Sequence, residues 1–476
     1  MPLRLPLRVP LRLRLRRRAL KQGSVADSLA WVDRFFQEAG QHIFARQEDD
    51  VIILPPNQVY KANATGIAVV RHMLSGGSVR TIPGIEQEDR ALQVAEFAFR
   101  LRALYLGEPS SLPPLETVPY SFQFTRLPIL GEIAVTWKCN NACRFCYAGC
   151  GKDFRAGTPR AVSGADGKEM SIQEVKRILR IFREKARIPF FSFTGGEPLL
   201  RKDLEEMIRH ARRLGLQVNL VTNGTLADAG RSRRLFDAGL RTAQVSIESA
   251  DPAVHDDLTG SPGSWQRTLG GIRALQDAGV SVQTNTTVTR LTAAAADGMP
   301  AFLKSIGVSR FAMNLYIPGE GAGKGGTDGL FLPYAEAGEV IDRVRAAARR
   351  EGLVFYWYSP IPHCHYNTIA RGLGNKSCAA MDGLLSVSPA GDVLPCSSYP
   401  LPMGNLLRQD FPSIWFSERA RFFKNKLYAP PECKGCDSFT ACQAACPLYW
   451  KQAGTAEIRP GRAGAVGSAG GSCAAG

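Results

Sequence analysis

Three cysteines, Cys139, Cys143 and Cys146, stand close enough together in the sequence to bind one metal centre. Three residues separate the first from the second, and two separate the second from the third. A cubane iron–sulfur cluster is held by cysteine thiolates at its corners, and a loop this short can supply three of them. The absent fourth ligand leaves one iron open to a substrate or cofactor, as in catalytic zinc sites. A zinc site would need a second pair of cysteines or partner histidines nearby, which this segment lacks, and we interpret Cys150 as a non-ligand.

Three segments further along the chain are rich in glycine or polar residues, and each of them follows a short apolar stretch that we predict to be a strand. They are Thr194-Gly-Gly-Glu-Pro198, Thr222-Asn-Gly224 and Ser246-Ile-Glu-Ser249. Glycines let a backbone approach a ligand closely, and a carboxylate can pair with an ammonium group. Each segment taken alone is also typical of an ordinary turn or strand end, so its meaning depends on the cysteines before it.

A second set of cysteines lies towards the C-terminus. Its members are Cys378, Cys396, Cys433, Cys436, Cys442 and Cys446, and Cys364 and Cys473 are further candidates. Because these cysteines are clustered and no secretory signal is evident, metal ligation is favoured over disulfides. The alternative is a structural zinc domain in which Cys433, Cys436, Cys442 and Cys446 bind one zinc ion. That alternative does not explain Cys378 and Cys396, which have Gly391 between them.

Between residues 131 and 317 the sequence alternates short apolar strands with amphipathic helices. Strands are predicted at Glu132–Thr136, Phe190–Phe193, Gln217–Val221, Thr242–Ile247, Ser281–Val288 and Arg310–Leu315. Helices are predicted at Ile172–Glu184, Leu204–Leu214, Arg231–Ala238, Trp265–Ala278 and Met299–Ile306, the first with a capping box of Ser171 and Glu174. This alternation predicts a parallel sheet with outer helices and a functional face where the strands end. Eight units would close a TIM barrel, so six predict a partial (β/α)6 barrel that is open on one side.

Composition divides the chain into six segments. We expect a basic disordered tail at 1–24, a small domain at 25–106, a linker at 107–130, the α/β core at 131–330, a Cys-rich domain at 331–453 and a disordered Gly/Ala-rich tail at 454–476. In the small domain, a strand at Val51–Pro55 turns back into Gln58–Lys61. Asn63 caps a helix that runs to Leu74, and a last helix spans Asp89–Leu106. These elements predict a winged-helix-like domain.

The formal charge of +16 is concentrated at the N-terminus. Seven arginines lie within the first eighteen residues, and without them the charge falls to +9. Such a tail is typical either of an arm that binds nucleic acid or acidic membranes or of a disordered extension. We expect the extension, and therefore no DNA or RNA partner. The sequence contains no apolar run of the roughly 18 to 20 residues that span a bilayer, and its N-terminus lacks the apolar core of a signal peptide. We therefore expect a cytoplasmic protein without a membrane span.

The cysteine triplet, with the aromatic Phe145 directly before its third member, resembles the signature of radical S-adenosylmethionine (SAM) enzymes. The resemblance implies that Cys139, Cys143 and Cys146 hold a [4Fe–4S] cluster whose open iron binds SAM. In that family the reduced cluster cleaves SAM to a deoxyadenosyl radical, which removes a hydrogen atom from the substrate. It also implies an electron donor such as flavodoxin or ferredoxin.

The segments after the later strands extend this resemblance. The first of them looks like the GGEP motif of the family, which implies that Gly195, Gly196 and Glu197 hold the methionine amino group of SAM. By the same resemblance, Asn223, Ser246 and Glu248 stand where relatives contact the cofactor, and Phe145 lies beside it. Thr259 stands where many relatives carry arginine, so no carboxylate-binding role is transferred to the loop that follows His255.

The C-terminal cysteines resemble the SPASM extension of radical SAM enzymes that modify peptides. That resemblance implies one or two auxiliary [4Fe–4S] clusters. Cys378, Cys396 and Cys446 would share one of them, whereas Cys433, Cys436 and Cys442 would share the other. We expect Cys364 to complete the first, whereas Cys473, which lies in the Gly/Ala-rich tail, is only a candidate for the second.

The small leading domain resembles the peptide chaperone of the pyrroloquinoline quinone pathway, whose relatives recognise the leaders of ribosomally made peptides by adding them to a sheet edge. A generic winged-helix-like domain is the alternative. We therefore expect a peptide maturase whose product is a thioether, a carbon–carbon crosslink, an epimer or an oxidised side chain. Alternatives are oxidation or decarboxylation of a tetrapyrrole side chain and, in another class, a non-catalytic iron–sulfur electron carrier. Sulfatase maturation is disfavoured because Ser397 stands where those enzymes carry an acidic residue.

Overall fold

The structure is a computed structural model that describes residues 26–54, 58–108, 124–150, 168–318 and 329–459. These residues form two compact units that divide between Leu127 and Pro128. The basic tail, most of the linker and of the Gly/Ala-rich tail, and Cys473 lie outside the described residues. Across the described ranges, no helix is long and apolar enough to cross a membrane.

The first unit is a three-stranded antiparallel sheet with helices. Its strands are β1 (Phe44–Arg46), β2 (Val51–Leu54) and β3 (Gln58–Lys61), with β2 in the middle. Its α-helices are Ala30–Ala39, Ala64–Leu74 and Glu88–Leu106, and its short 3-10 helices are Ala26–Leu29, Gly40–His42 and Val79–Thr81. As predicted, Asn63 caps the second α-helix, where its side chain accepts a hydrogen bond from the Gly66 N–H at 2.8 Å.

The sequence analysis missed β1 and the helix Ala30–Ala39. The helix has a readable signal, because its buried residues Val32, Phe35, Phe36 and Ala39 recur at helical spacing. β1 has only three residues, two of them half-buried, and so short a strand carries little pattern.

The second unit is built on a ten-stranded sheet. Its strands are β4 (Leu130–Ala134), β5 (Phe190–Thr194), β6 (Gln217–Thr222), β7 (Thr242–Ser246), β8 (Ser281–Val288), β9 (Arg310–Leu315), β10 (Val354–Trp357), β11 (Leu384–Val387), β12 (Asp392–Leu394) and β13 (Gly404–Asn405). Their order is β10-β9-β8-β7-β6-β5-β4-β11-β12-β13. Strands β4 to β10 run parallel in chain order, which confirms the predicted α/β core as a partial, open barrel.

Helices alternate with the parallel strands. Those of the core are Ile172–Glu184, Leu204–Arg213, Ala229–Asp237, Pro252–Thr259, Ser264–Asp277, Arg290–Ala293, Met299–Ser305 and Tyr334–Glu351, with 3-10 turns at Pro198–Leu200 and Ala296–Gly298. Short helices follow in the Cys-rich part, at Phe411–Trp415, Glu418–Lys424, Pro431–Lys434, Phe439–Cys442 and Pro447–Ala453. The capping box of Ser171 and Glu174 is present.

The sheet extends further than the six predicted strands. The helix Tyr334–Glu351 and β10 add one more unit beyond residue 330, where we expected the α/β pattern to end. At the other edge, β11 pairs in parallel with β4. β10 and β11 have four residues each, which is too short for a clear pattern. Because β11 lies beside β4, the Cys-rich segment begins next to the strand that leads into the cysteine triplet.

Candidate metal centres and cofactor site

The cysteine triplet lies in the loop that directly follows β4. Cys139, Cys143 and Cys146 are each half-buried. The N–H groups of Asn141 and Cys150 approach the sulfurs of Cys139 and Cys146, each at 3.4 Å. Backbone donors therefore already point at two of the three predicted ligands.

Burial and mutual repulsion act on the three thiols. Burial raises the pKa of Cys139 to about 11 and that of Cys143 well above its ordinary value, and nearby thiolates add to both. The pKa of Cys146 falls to about 6, chiefly because the Cys150 thiol hydrogen-bonds to it. A positively charged iron centre bound by the three sulfurs would relieve their mutual repulsion and favour the thiolate form.

The helix Pro252–Thr259 holds the cysteine loop from the other side. The N–H of Ala142 donates to the carbonyl of Thr259, and the N–H of Arg144 donates to the carbonyl of Leu258, both at 2.9 Å. A side chain at Gly260 would lie 2.5 Å from the Ala142 oxygen, so only glycine fits there. The sequence analysis did not predict this anchoring role.

The predicted site residue Phe145 and Thr259, which stands where many relatives carry arginine, both have structural contacts. Phe145 packs against the buried residues Leu258, Tyr316 and Leu330. The Thr259 hydroxyl donates to the carbonyl of His255 at 2.9 Å. These contacts position the loop that carries the triplet.

The two glycines of the GGEP segment allow its backbone to touch the cysteine loop. The N–H of Gly196 donates to the Thr136 carbonyl at 2.7 Å, and the N–H of Glu197 donates to the Lys138 carbonyl at 2.8 Å. A Cβ atom on Gly195 or Gly196 would lie 2.2 Å from the Thr136 or Lys138 oxygen, respectively. Close packing of the two loops therefore requires both glycines.

The Glu197 carboxylate is fully buried and ties three elements together. It accepts hydrogen bonds from the Leu199 N–H at 2.9 Å, the Thr222 hydroxyl at 2.7 Å and the Asn223 N–H at 2.8 Å. Burial raises its pKa to about 7 even though these bonds favour the charged form. Both oxygens are thus engaged by the protein itself, and they hold the end of β6 beside the cysteine loop.

Asn223 reaches the first cysteine directly. Its side-chain amide donates to Asn140 at 2.9 Å and lies 3.9 Å from the Cys139 sulfur. Asn140 in turn donates to the Thr225 hydroxyl at 2.7 Å. Asn140 is a site residue that sequence reasoning missed, although its place one residue after Cys139 is a usable signal.

Glu248 and Ser246 come from the end of β7. The Glu248 carboxylate accepts a hydrogen bond from the Thr287 N–H at 2.8 Å, and burial raises its pKa to about 8. Its charge also raises the pKa of Cys143, so the two groups are neighbours. Its backbone N–H donates to Nδ1 of His255, and burial lowers the pKa of that histidine to about 4. Ser246 is half-buried.

The C-terminal cysteines separate into two groups. In the first, Cys396 and Cys446 are half-buried and lie near the buried Cys378. Loss of solvent, followed by the neighbouring thiolates, raises the pKa of both, that of Cys446 to about 12. In the second, Cys364, Cys433, Cys436 and Cys442 line one cavity. We expected Cys364 to join the first group, but the structure places it beside the second, because the chain after β10 brings it there.

Two further residues support the first group and were missed by sequence reasoning. The ammonium of Lys426 is buried, donates to the Cys378 carbonyl at 2.8 Å and pairs with Asp382 at 3.1 Å. The hydroxyl of Tyr428 hydrogen-bonds to Cys378. Neither residue belongs to a recognisable motif, and Lys426 is 44 residues from its acidic partner.

The donor sets consist of cysteine thiols, the ligand type that iron–sulfur clusters use. Within the described ranges, no three histidine, cysteine or carboxylate side chains converge as the ligands of one metal ion would. A tetrahedral zinc ion places every sulfur about 2.3 Å from one point. A cubane takes one thiolate at each corner, so its cysteines surround a larger volume.

Comparison with known proteins agrees with this geometry. The radical SAM superfamily profile matches residues 133–293, and the SPASM iron-sulfur cluster-binding domain profile matches residues 378–437. An AdoMet-dependent heme synthase of Oleidesulfovibrio alaskensis is 30% identical, over 65% of this chain and 80% of that protein. A PqqA peptide cyclase of Streptomyces rochei is also 30% identical, over 58% of this chain and 76% of that protein.

Solved structures share the fold. Streptococcus suis SuiB superposes with a TM-score of 0.62 at 17% identity, covering 86% of this chain and 95% of SuiB. SuiB has also been solved with S-adenosylmethionine and with the precursor peptide SuiA. Enzymes of this superfamily use SAM and a [4Fe–4S] cluster, and the SPASM domain binds auxiliary clusters. The chain therefore belongs to the radical SAM superfamily, as an enzyme whose core is followed by a SPASM domain.

Proposed function

We propose that this enzyme is a peptide maturase, which binds a ribosomally made precursor through its leader and abstracts a hydrogen atom from it. The observation that carries the proposal is the outer strand β3 of the first unit, which is bonded to β2 alone among the described strands. Gln58 and Lys61 of β3 are exposed, and Val59 and Tyr60 are half-buried. An exposed edge strand offers backbone groups that an extended leader peptide can pair with.

The comparisons support this proposal in two ways. Residues 128–476 make up less than three quarters of the chain, so the 86% matched by SuiB must include part of the first unit. SuiB is a protein that has been solved with a bound precursor peptide. Peptide cyclases acting on PqqA are also among the relatives.

In this proposal each group of residues described above has a separate role. Cys139, Cys143 and Cys146 would hold the [4Fe–4S] cluster, which supplies the electron for SAM cleavage when a donor such as flavodoxin or ferredoxin has reduced it. The GGEP segment and Asn223 fix the cysteine loop at the carboxyl ends of the strands. The C-terminal cysteines would hold auxiliary clusters that accept an electron or position the peptide.

The radical chemistry is tested first. The protein is purified without oxygen, reconstituted with iron and sulfide, and mixed with SAM and a strong reductant. We expect deoxyadenosine to form and Cys143→Ala to abolish it. A fully iron-loaded protein that forms no deoxyadenosine would contradict the enzymatic role and favour the electron carrier.

The peptide substrate is tested separately. The reaction is run with a short precursor peptide encoded beside this gene, both in full and without its leader. We expect a mass change in the full peptide only, and inhibition by excess free leader. Equal processing of both peptides would contradict recognition through the leader, although it would leave the radical chemistry intact.

A second candidate function is oxidation or decarboxylation of a tetrapyrrole side chain. Three heme synthases among the relatives support it, since each is 28% to 30% identical over at least 63% of this chain. Incubation of the reconstituted protein with a carboxylated tetrapyrrole, SAM and a strong reductant would then release carbon dioxide, whereas Cys143→Ala would release none. Decarboxylation without any change in the peptide would favour this function over the first.

A further inference from the structure

We infer that Cys364 is the fourth thiolate of the cluster held by Cys433, Cys436 and Cys442, and that this cluster is complete without Cys473. The inference rests on the SPASM domain and not on the identity of the substrate. It assigns the fourth ligand to a segment upstream of the SPASM profile, which begins at residue 378.

The first observation is the shared cavity. Cys364, Cys433, Cys436 and Cys442 all line it, together with Pro362, His363 and Phe439. Cys433 lies in the helix Pro431–Lys434, Cys436 follows that helix, and Cys442 ends the helix Phe439–Cys442. Cys364 comes from a different part of the chain, after β10, and lines the same cavity.

The position of Cys364 is held by its two neighbours. The backbone N–H of His363 donates to the Cys442 sulfur at 3.3 Å. On the other side, Nε2 of His365 lies 2.7 Å from the Glu457 carbonyl, and the His365 N–H donates to the Pro362 carbonyl at 2.9 Å. The turn that carries Cys364 is thus bonded to one of its three partners.

A left-handed turn separates this set from the other. Gln443, Ala444 and Ala445 have φ angles of 55°, 56° and 54°, although none of them is glycine. Residues other than glycine rarely adopt this conformation, because their Cβ atom crowds the following carbonyl oxygen, so packing must hold them there. All three are fully buried. The turn places Cys442 with Cys364 and places Cys446 with the other set of cysteines.

The residues that line this cavity do not include Cys378, Cys396 or Cys446. Four cysteines are the ligand set of a closed [4Fe–4S] cluster, which suits electron transfer because no iron is left open.

The test uses the full-length protein, reconstituted without oxygen, with Cys364→Ala and Cys473→Ala as a matched pair. We expect Cys364→Ala to lose about four iron atoms per chain or to show the signal of an oxidised three-iron cluster in electron paramagnetic resonance (EPR). Cys473→Ala should keep the iron content and the EPR spectrum of the unmodified protein. The opposite result, with loss of iron in Cys473→Ala alone, would overturn the inference.

Three further measurements exclude simple misfolding and a zinc site. Cys364→Asp keeps an anionic ligand, so we expect it to retain the iron with an altered EPR signal. Each variant should still form the catalytic cluster, seen as a change in its EPR signal when SAM is added. Zinc in place of the missing iron in the unmodified protein, measured by metal analysis, would overturn the assignment of an iron–sulfur cluster.

Discussion

The Glu132 carboxylate accepts a hydrogen bond from the backbone N–H of Ser397 at 3.1 Å. Glu132 lies on β4, the strand that leads into the cysteine triplet, and Ser397 directly follows Cys396. The charge of Glu132 also contributes to raising the pKa of Cys396. The contact therefore joins the catalytic and the auxiliary cysteine segments, and it depends on the parallel pairing of β11 with β4.

Substitution of Glu132 should affect the auxiliary cluster at Cys396. Glu132→Ala removes a charged acceptor, which costs about 2 kcal/mol of unfolding free energy. Glu132→Gln keeps an acceptor oxygen but removes a negative charge near the cluster, so we expect a higher reduction potential with little loss of stability. An EPR-monitored redox titration measures the potential, and urea unfolding measures the stability. An unchanged potential in Glu132→Gln would show that the carboxylate charge does not act on the cluster.

The contact between the GGEP segment and the cysteine loop predicts the effect of Gly196→Ala. The added methyl group would lie 2.2 Å from the Lys138 oxygen, so the cysteine loop must move. Displacement of a reacting group by about 1 Å can cost about 100-fold in rate, and we expect deoxyadenosine formation to fall by about that factor. Iron analysis should show partial loss of the catalytic cluster.

Gly270→Ala is the matched control for that variant. Gly270 lies inside the helix Ser264–Asp277, and a methyl group there meets no atom within 4 Å. Alanine is favoured over glycine in helices by up to about 1 kcal/mol, so this variant should be as stable as the unmodified protein or more so, with full activity. Equal activity of the two variants would contradict the steric role of Gly196.

Local patterns explain which parts of the structure could be predicted from the sequence. The cysteine triplet, the GGEP segment and the strands β5 to β9 each depend on residues close together in the chain. The grouping of Cys364 could not be predicted, because it depends on how the chain returns after β10. The left-handed turn that separates Cys442 from Cys446 could not be predicted either, because Gln443, Ala444 and Ala445 are not residue types that favour turns.

The buried pair of Lys426 and Asp382 predicts a strong effect of Lys426→Met. The Lys426 side chain is fully buried and that of Asp382 is 11% exposed, and removal of one partner leaves a buried charge uncompensated. Breaking such a pair costs about 3–5 kcal/mol. We expect this loss in urea unfolding, together with loss of iron at Cys378, whose carbonyl Lys426 holds. Lys426→Met combined with Asp382→Asn should recover part of the stability.

Lys304→Met is the comparison for the buried pair. Lys304 pairs with Glu351 at 3.1 Å, but its side chain is 56% exposed. Exposed pairs contribute about 0–1 kcal/mol, so this variant should unfold at nearly the same urea concentration as the unmodified protein. If both lysine variants lose similar stability, burial of the Lys426 pair is not the cause.

The raised pKa of Glu197 predicts a pH dependence of stability. Its pKa is about 7 in the folded protein, against an ordinary value of 4.5, because the carboxyl group is buried. The folded state therefore binds this proton more tightly than the unfolded state does. Proton binding by Glu197 therefore contributes about 3 kcal/mol to the unfolding free energy. This contribution is fully present below pH 4.5 and is lost as the pH rises through 7.

Urea unfolding of the cluster-free protein between pH 5 and pH 8 measures this contribution. We expect the unfolding free energy to fall less steeply with pH in Glu197→Gln than in the unmodified protein, because the amide does not titrate. Glu174→Gln is the control: hydrogen bonds from Ser171 lower the pKa of Glu174, so its contribution is lost only as the pH falls. The slope above pH 5 should therefore stay unchanged in Glu174→Gln. Identical slopes in Glu197→Gln and the unmodified protein would show that Glu197 is ionised throughout this range, held so by its three hydrogen bonds.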